Sequence, residues 1–172
     1  MVFATLYRVG MGLLHSYDVD VVWTGAGPEG TTGYTSYSRD HDVLVAGKPA
    51  LAGSADAAFR GDPGRHTPED LLVASLSQCH MLWFLHLAGA DGFVVVDYRD
   101  RATGTMRVEA AGHGAFTDVA LRPRVTLRGD VSPGADLDAR LAEVHERAHE
   151  HCFIARSVNF PVLVEPVPAV RE

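Results

Sequence analysis

Thr67-Pro68-Glu69-Asp70-Leu71-Leu72-Val73-Ala74-Ser75-Leu76-Ser77-Gln78-Cys79-His80 is the stretch whose reading decides the fold of this 172-residue chain. Thr67 is a good N-cap, and Pro68 suits the first helical position. Glu69 and Asp70 complement the positive end of the helix dipole. Leu72, Leu76, Cys79 and Trp83 follow at spacings of four, three and four, which places them on one face. The helix is predicted to run to about Leu87, with Gly89 and Gly92 ending it.

Working outward, Tyr17 to Trp23 alternates apolar and polar residues as a half-buried strand does. Thr24 to Gly30 is a Gly/Pro loop, Thr31 to Ser38 reads as the returning strand, and Val43-Leu44-Val45 as a third. Beyond the helix, Phe93 to Arg99, Gly104 to Ala111 and Phe116 to Leu127 are three β-rich stretches. Ser132-Pro133-Gly134 leads into a second helix from Asp136 to about His151, with Leu137, Leu141, Val144, Ala148 and Cys152 as its stripe. Val158 to Val164 is a closing strand. The order predicts an α+β fold, a mostly antiparallel β-sheet packed against two main helices, because most strand connections are too short for parallel crossovers. Residues 1–16 read as a loosely held N-terminal extension, 17–165 as one domain, and 166–172 as a mobile C-terminal tail.

Composition is that of an ordinary globular chain, 47% hydrophobic and 22% charged, with a formal net charge of -7. No Lys/Arg run supplies the footprint that phosphate backbones require, so nucleic acid is not an expected partner. No apolar stretch is read as approaching the roughly 20 residues of a membrane span, and no membrane association is expected. The expected location is the cytoplasm, where a cysteine pair is more often catalytic or metal-binding than structural.

Cys79 and Cys152 are the two cysteines, one on each helical stripe. Free cysteine often serves as a small buried hydrophobe. Two helices packed side by side would equally bring these sulfurs into disulfide range. Pattern alone leaves inert thiols and one dithiol centre level.

Phe59-x-Gly61-Asp62, then Pro68-Glu69-Asp70-Leu71-Leu72-x-Ala74-Ser75-Leu76-x-x-Cys79, then Ala148-His149-x-x-Cys152-Phe153-Ile154-Ala155-x-Ser157, resembles the OsmC/Ohr proteins, thiol-dependent peroxidases that reduce organic hydroperoxides. The resemblance covers roughly Tyr17 to Val164, and Cys79-His80-Met81-Leu82-Trp83 places it nearest an OsmC-like subgroup. It implies an OsmC-like fold, an intertwined homodimer and no bound cofactor. By this resemblance Cys79 matches the peroxidatic cysteine, oxidised to a sulfenic acid, and Cys152 the resolving cysteine that condenses with it. Glu69 matches the carboxylate that, with an arginine, organises the site, and an external dithiol such as a lipoyl group restores both thiols.

A thiol near pKa 8.5 is mostly protonated at neutral pH, so attack requires a stabilised thiolate. Cys79 lies about three turns into its helix, too far to gain much from the dipole, so a nearby cation is needed. Arg39 is the first candidate, held in a fixed fork by Glu69, and Arg60 the second. The Gly25 to Gly30 loop departs from the Ohr pattern in carrying no arginine. Glu69 and Cys79 are ten positions apart, about 15 Å of helical rise. A Glu69 that serves Cys79 therefore comes from the partner subunit of a two-fold dimer.

Phe59, Trp83 and Phe153 flank the thiols in sequence and are candidates to line a pocket for an alkyl hydroperoxide tail. His145, His149 and His151 read as solvated histidines at a helix C-terminus, so no metal site is assigned. Three functions follow in order: a peroxidase using Cys79 and Cys152, a non-catalytic protein of the same fold binding a small hydrophobic ligand, and a His/Cys metal-binding protein.

Overall fold

Alternation, turn chemistry and helix caps settle most of the elements. The computed structural model describes residues 8–9, 12–129 and 135–171, which fall into two compact units meeting at Pro68 and Glu69.

In the N-terminal unit, β1 (Arg8–Val9) and β2 (Gly12–Leu13) form a minimal antiparallel hairpin inside the stretch read as a loose extension. β3 (Asp20–Trp23), β4 (His41–Leu44) and β5 (Leu51–Gly53) make a three-stranded antiparallel sheet with β4 central. The expected strand over 31–38 does not form, and its residues make turns instead. Local side chains outcompete a ladder there. The Ser36 hydroxyl sits 2.6 Å from the Gly30 carbonyl and accepts the Gly33 N–H at 3.0 Å, while the Arg39 guanidinium donates to the Tyr37 and Tyr34 carbonyls at 2.7 and 2.9 Å.

The motif Phe59-x-Gly61-Asp62 closes this unit. Ser54, fully buried, donates to Asp40 at 3.0 Å and accepts the Asp62 N–H at 3.0 Å. Gly61 is required for space, because a Cβ there would collide with the Ala55 backbone carbonyl.

The C-terminal unit begins with α1 (Pro68–Ala90), which ends where Gly92 turns left-handed at φ 83° and Phe93 donates back to the Ala88 carbonyl at 2.9 Å. Two antiparallel pairs follow, β6 (Val94–Asp100) with β9 (Pro123–Arg128), and β7 (Thr103–Val108) with β8 (Gly114–Leu121). The single β-rich stretch expected over 116–127 is thus two strands in two sheets. The break falls at Arg122-Pro123, where proline without an N–H suits a strand start. After α2 (Ala135–His151), β10 (Val162–Val164) joins β8 in parallel, and β11 (Val170–Arg171) joins β9 in parallel. The C-terminal stretch expected to be mobile is therefore paired, and the Val167 N–H also donates to the Pro123 carbonyl at 2.9 Å. Two helices with mainly antiparallel sheets give the expected α+β class. Ser132-Pro133-Gly134, read as the lead into α2, lies outside the described residues.

One core joins Phe84 and Ala88 of α1 to Leu137, Leu141, Val144 and Ala148 of α2 and to Phe93, Val125 and Leu127. A second packs Leu76 onto Val119 and Leu121, with Phe116, Phe160 and Val162 around them. The α2 stripe is as expected, buried at every position from Leu137 to Cys152. The α1 stripe is shifted by one residue. Its deeply buried face is Leu76, His80, Phe84 and Ala88, and Cys79 and Trp83 lie on the shoulder.

The membrane expectation needs a correction too. α1 is 23 residues with a window of mean hydropathy 1.4, enough by length and composition to cross a bilayer. Two of its polar residues are bonded to other elements of the unit: Ser77 donates to Asp100 at 2.6 Å, and His80 bonds His145 of α2. Of that apolar window, 22% is buried within the chain.

Candidate functional site

The two thiols meet. Cys79 projects from the middle of α1 and is partly accessible, whereas Cys152 caps the end of α2 at 1% exposure. Both are free, and the Cys79 side chain is a near neighbour of the Cys152 thiol. Burial pushes the Cys152 thiol up to about 11; the neighbouring Cys79 adds to the rise, and the Ala155 N–H, 3.4 Å from the sulfur, opposes it. The local chain holds Cys152 in place: its own N–H reaches the His149 carbonyl at 3.1 Å, and its carbonyl accepts from Arg156 at 3.1 Å. A proton-retaining, enclosed thiol beside a more open one is an asymmetric pair, in which only Cys79 faces an incoming reagent.

Trp83, one turn beyond Cys79, packs edge-on against Phe153 with ring centroids 5.6 Å apart and lies 4.9 Å from the His151 ring. Phe153 is itself 66% exposed. Two of the three aromatic residues proposed for a pocket are thus in contact. Phe59 and the candidate arginines belong to the N-terminal unit. Phe59 ends a short 3-10 turn, and Arg60 follows it at a left-handed φ of 67°. Arg39 is gripped by the two tyrosine carbonyls and lies over the Tyr34 and Tyr37 rings at 4.4 and 4.3 Å. Glu69 stands in the first turn of α1, half-buried.

Sequence reasoning missed the residue next to Cys79. His80 is fully buried, and its Nε2 lies 3.0 Å from Nδ1 of His145, itself 3% exposed. His145 also stacks on Phe84 at 4.1 Å. The expectation of solvated histidines fails for His145, because two rings that hydrogen-bond each other can be buried together. Burial lowers His80 to about 4, with His149 adding to the effect, and lowers His145 to about 3, with His80 adding. His80, Phe84 and Ala88 recur every four residues, but α1 offers a second apolar row through Cys79 and Trp83, so spacing alone does not single the histidine out. Among the described residues no group of three or more His, Cys, Asp or Glu is placed to hold a metal ion. His145 also lines two cavities along α2, of about 230 and 300 Å³, together with Ala142 and Pro166.

Residues 61–166 match the family described as OsmC-like protein. Among solved structures, an OsmC-like protein of unknown function from Vibrio cholerae is 32% identical, with 90% of this chain and 100% of that chain covered and a TM-score of 0.79. An organic hydroperoxide resistance protein OsmC from Legionella pneumophila has the same fold at 16% identity, covering 92% of this chain and 98% of its own with a TM-score of 0.62. The organic hydroperoxide resistance protein OhrB of Bacillus subtilis, at 16% identity, covers 88% of this chain and 98% of its own with a TM-score of 0.60. No curated protein matches. The chain belongs to the OsmC-like family.

Proposed function

We propose that this protein is a cysteine-dependent peroxidase for organic hydroperoxides, acting in the cytoplasm. The observation that carries the reading is the meeting of two free thiols, an enclosed Cys152 beside a partly accessible Cys79. The Cys79 thiolate attacks the terminal peroxide oxygen, the O–O bond breaks, and the alkoxide leaves as an alcohol after taking a proton. Cys79 is then a sulfenic acid. Cys152 attacks its sulfur, a water leaves, and a Cys79–Cys152 disulfide forms. An external dithiol of lipoyl type returns the two electrons and becomes a disulfide itself. Trp83 and Phe153 border the approach with apolar surface, with Phe59 as a further pocket residue.

Glu69 and Arg39 act as positioning residues that favour the Cys79 thiolate. Because α1 is continuous from Pro68 to Ala90, Glu69 stays about 15 Å along the axis from Cys79. In this reading it serves the Cys79 of a second subunit in an intertwined homodimer. Apolar surface supports such a partner: Leu82 is 62% exposed on α1, and Val21 is 64% exposed on β3, a strand exposed at every position.

Treatment with cumene hydroperoxide tests the reading. Mass spectrometry should show a Cys79–Cys152 disulfide after one equivalent, and Cys152→Ser should instead leave a Cys79 sulfenic acid that dimedone traps. Survival of both thiols in excess peroxide would rule it out. Heterodimers of Glu69→Ala and Cys79→Ser chains should recover one working site, and no recovery counts against the shared site.

A second reading is favoured by the cavities at His145: a non-catalytic member of the fold that holds a small hydrophobic ligand along α2. It requires that Cys79→Ser leave function intact.

A further inference from the structure

Arg-x-Arg occurs twice in the C-terminal unit, as Arg99-Asp100-Arg101 and Arg122-Pro123-Arg124. Strand alternation sends both arginines of each triplet to one face. The register of β6 on β9 sets Arg99 directly opposite Arg124 and Asp100 opposite Pro123. The neighbouring pair on the other face, Tyr98 and Val125, looks inward to the helices. Four guanidinium groups therefore gather on the outer face of one strand pair, where with Val167 they line a recess of about 300 Å³.

The charges there do not balance. Arg99 is paired with Asp97 at 3.2 Å, and Arg122 with Glu165 at 2.9 Å and with the Thr103 hydroxyl at 2.8 Å. Arg101 and Arg124 have no side-chain ion pair or hydrogen bond among the described residues. Like charges set opposite each other on a sheet cost stability. Asp100, between Arg99 and Arg101 in sequence, has its carboxylate engaged by the Ser77 hydroxyl and the Arg122 backbone N–H, each at 2.6 Å. The Arg101 and Arg124 side chains thus stay without an ion-pair partner among the described residues, in a chain whose formal net charge is -7.

We propose that this recess binds a dianionic phosphate group, either free or carried on a small organic molecule. Two negative charges match the two arginines left without an ion-pair partner. The planar forks of arginine match phosphate oxygens in pairs, and a tetrahedral group accepts forks from several directions where a lone carboxylate is filled by one or two. The size suits one phosphate with a small organic body. The site stands apart from the thiol chemistry, since β6 and β9 separate it from α2.

Isothermal titration of the full chain at pH 8 and low ionic strength tests the proposal, with inorganic phosphate in one arm, glycerol phosphate in another and chloride at matched ionic strength as control. Both phosphates are expected to give saturable one-site binding, and Arg101→Ala and Arg124→Ala each to weaken it about tenfold or more. Tighter binding of glycerol phosphate shows that the recess holds an organic body, and equal binding that it reads the phosphate alone. Absence of saturable binding in both arms, or unchanged binding in the double variant, would overturn the proposal. Arg124→Thr adds a second readout: its Tm should rise in phosphate-free buffer, as the opposed charges are relieved, and should no longer respond to phosphate. A fall in Tm in phosphate-free buffer would show Arg124 to be structural and would also overturn it.

Discussion

His80 Nε2 lies 3.0 Å from His145 Nδ1, and the two rings join α1 to α2 out of reach of solvent. One nitrogen donates and the other accepts, so the accepting ring must be neutral, and burial keeps the other ring neutral as well. Burial lowers His80 to about 4 and His145 to about 3. The unfolded chain takes up these protons near pH 6.5, before the folded one does. Stability is thus full above pH 6.5 and falls as the pH drops below it, by up to roughly 1.4 kcal/mol per pH unit for each histidine. The fall levels off only as the folded-state values are reached. A Tm series from pH 4 to 7.5 should show this acid limb, and His80→Leu/His145→Phe should flatten it. An unchanged limb in the double variant would assign acid sensitivity to other groups.

Alkylation should find Cys79 first. Cys152 is 1% exposed, with its thiol pushed up to about 11, so its thiolate fraction near neutral pH is minute. Timed iodoacetamide labelling read by peptide mass spectrometry should give singly labelled protein carrying the mark on Cys79. Equal labelling of both cysteines would contradict the enclosed position of Cys152.

Gly61→Ala should destabilise the N-terminal unit, because the added methyl collides with the Ala55 carbonyl backbone and backbone cannot swing aside. A loss of about 1–3 kcal/mol, the scale of overpacking, is expected in urea melts. Gly64→Ala is a control, since its nearest contact, the Asp62 carboxylate at 3.2 Å, is a side chain that can move. Similar losses from both would mean that space at Gly61 is not the cause.

Phe84→Ala should be far costlier. The ring is fully buried, stacked on His145 at 4.1 Å and set against Tyr98 at 5.7 Å. Its removal opens a cavity beside the histidine pair, with an expected loss of about 3–5 kcal/mol in urea melts. A cost below 1 kcal/mol would show that the core around His145 collapses freely.

What the sequence made legible follows from which forces act locally. Thr67, Pro68 and the first-turn acids specify the start of α1 within a few residues, and the α2 stripe shows because its other faces are polar. α1 is apolar nearly all round, so periodicity could not choose between the Cys79 and His80 faces. His80 shows its role only in the fold, where its partner 65 positions later comes into contact. Family resemblance pointed to both cysteines, and folding brings them together. The arginine recess was hidden for the same reason as the histidine pair: each triplet alone is two charges, and only strand register sums them.

The two parallel additions, β10 on β8 and β11 on β9, bind Val162 to Val119 and Val170 to Thr126. Each sheet of the C-terminal unit thus waits for a strand that lies roughly forty residues further along the chain than its neighbour. Such late, distant pairing is slow, and it leaves β8 and β9 with bare edges in the nascent chain. Synthesis cut short before Val162 would release a chain able to form both helices but neither completed sheet, a natural substrate for chaperones and proteases.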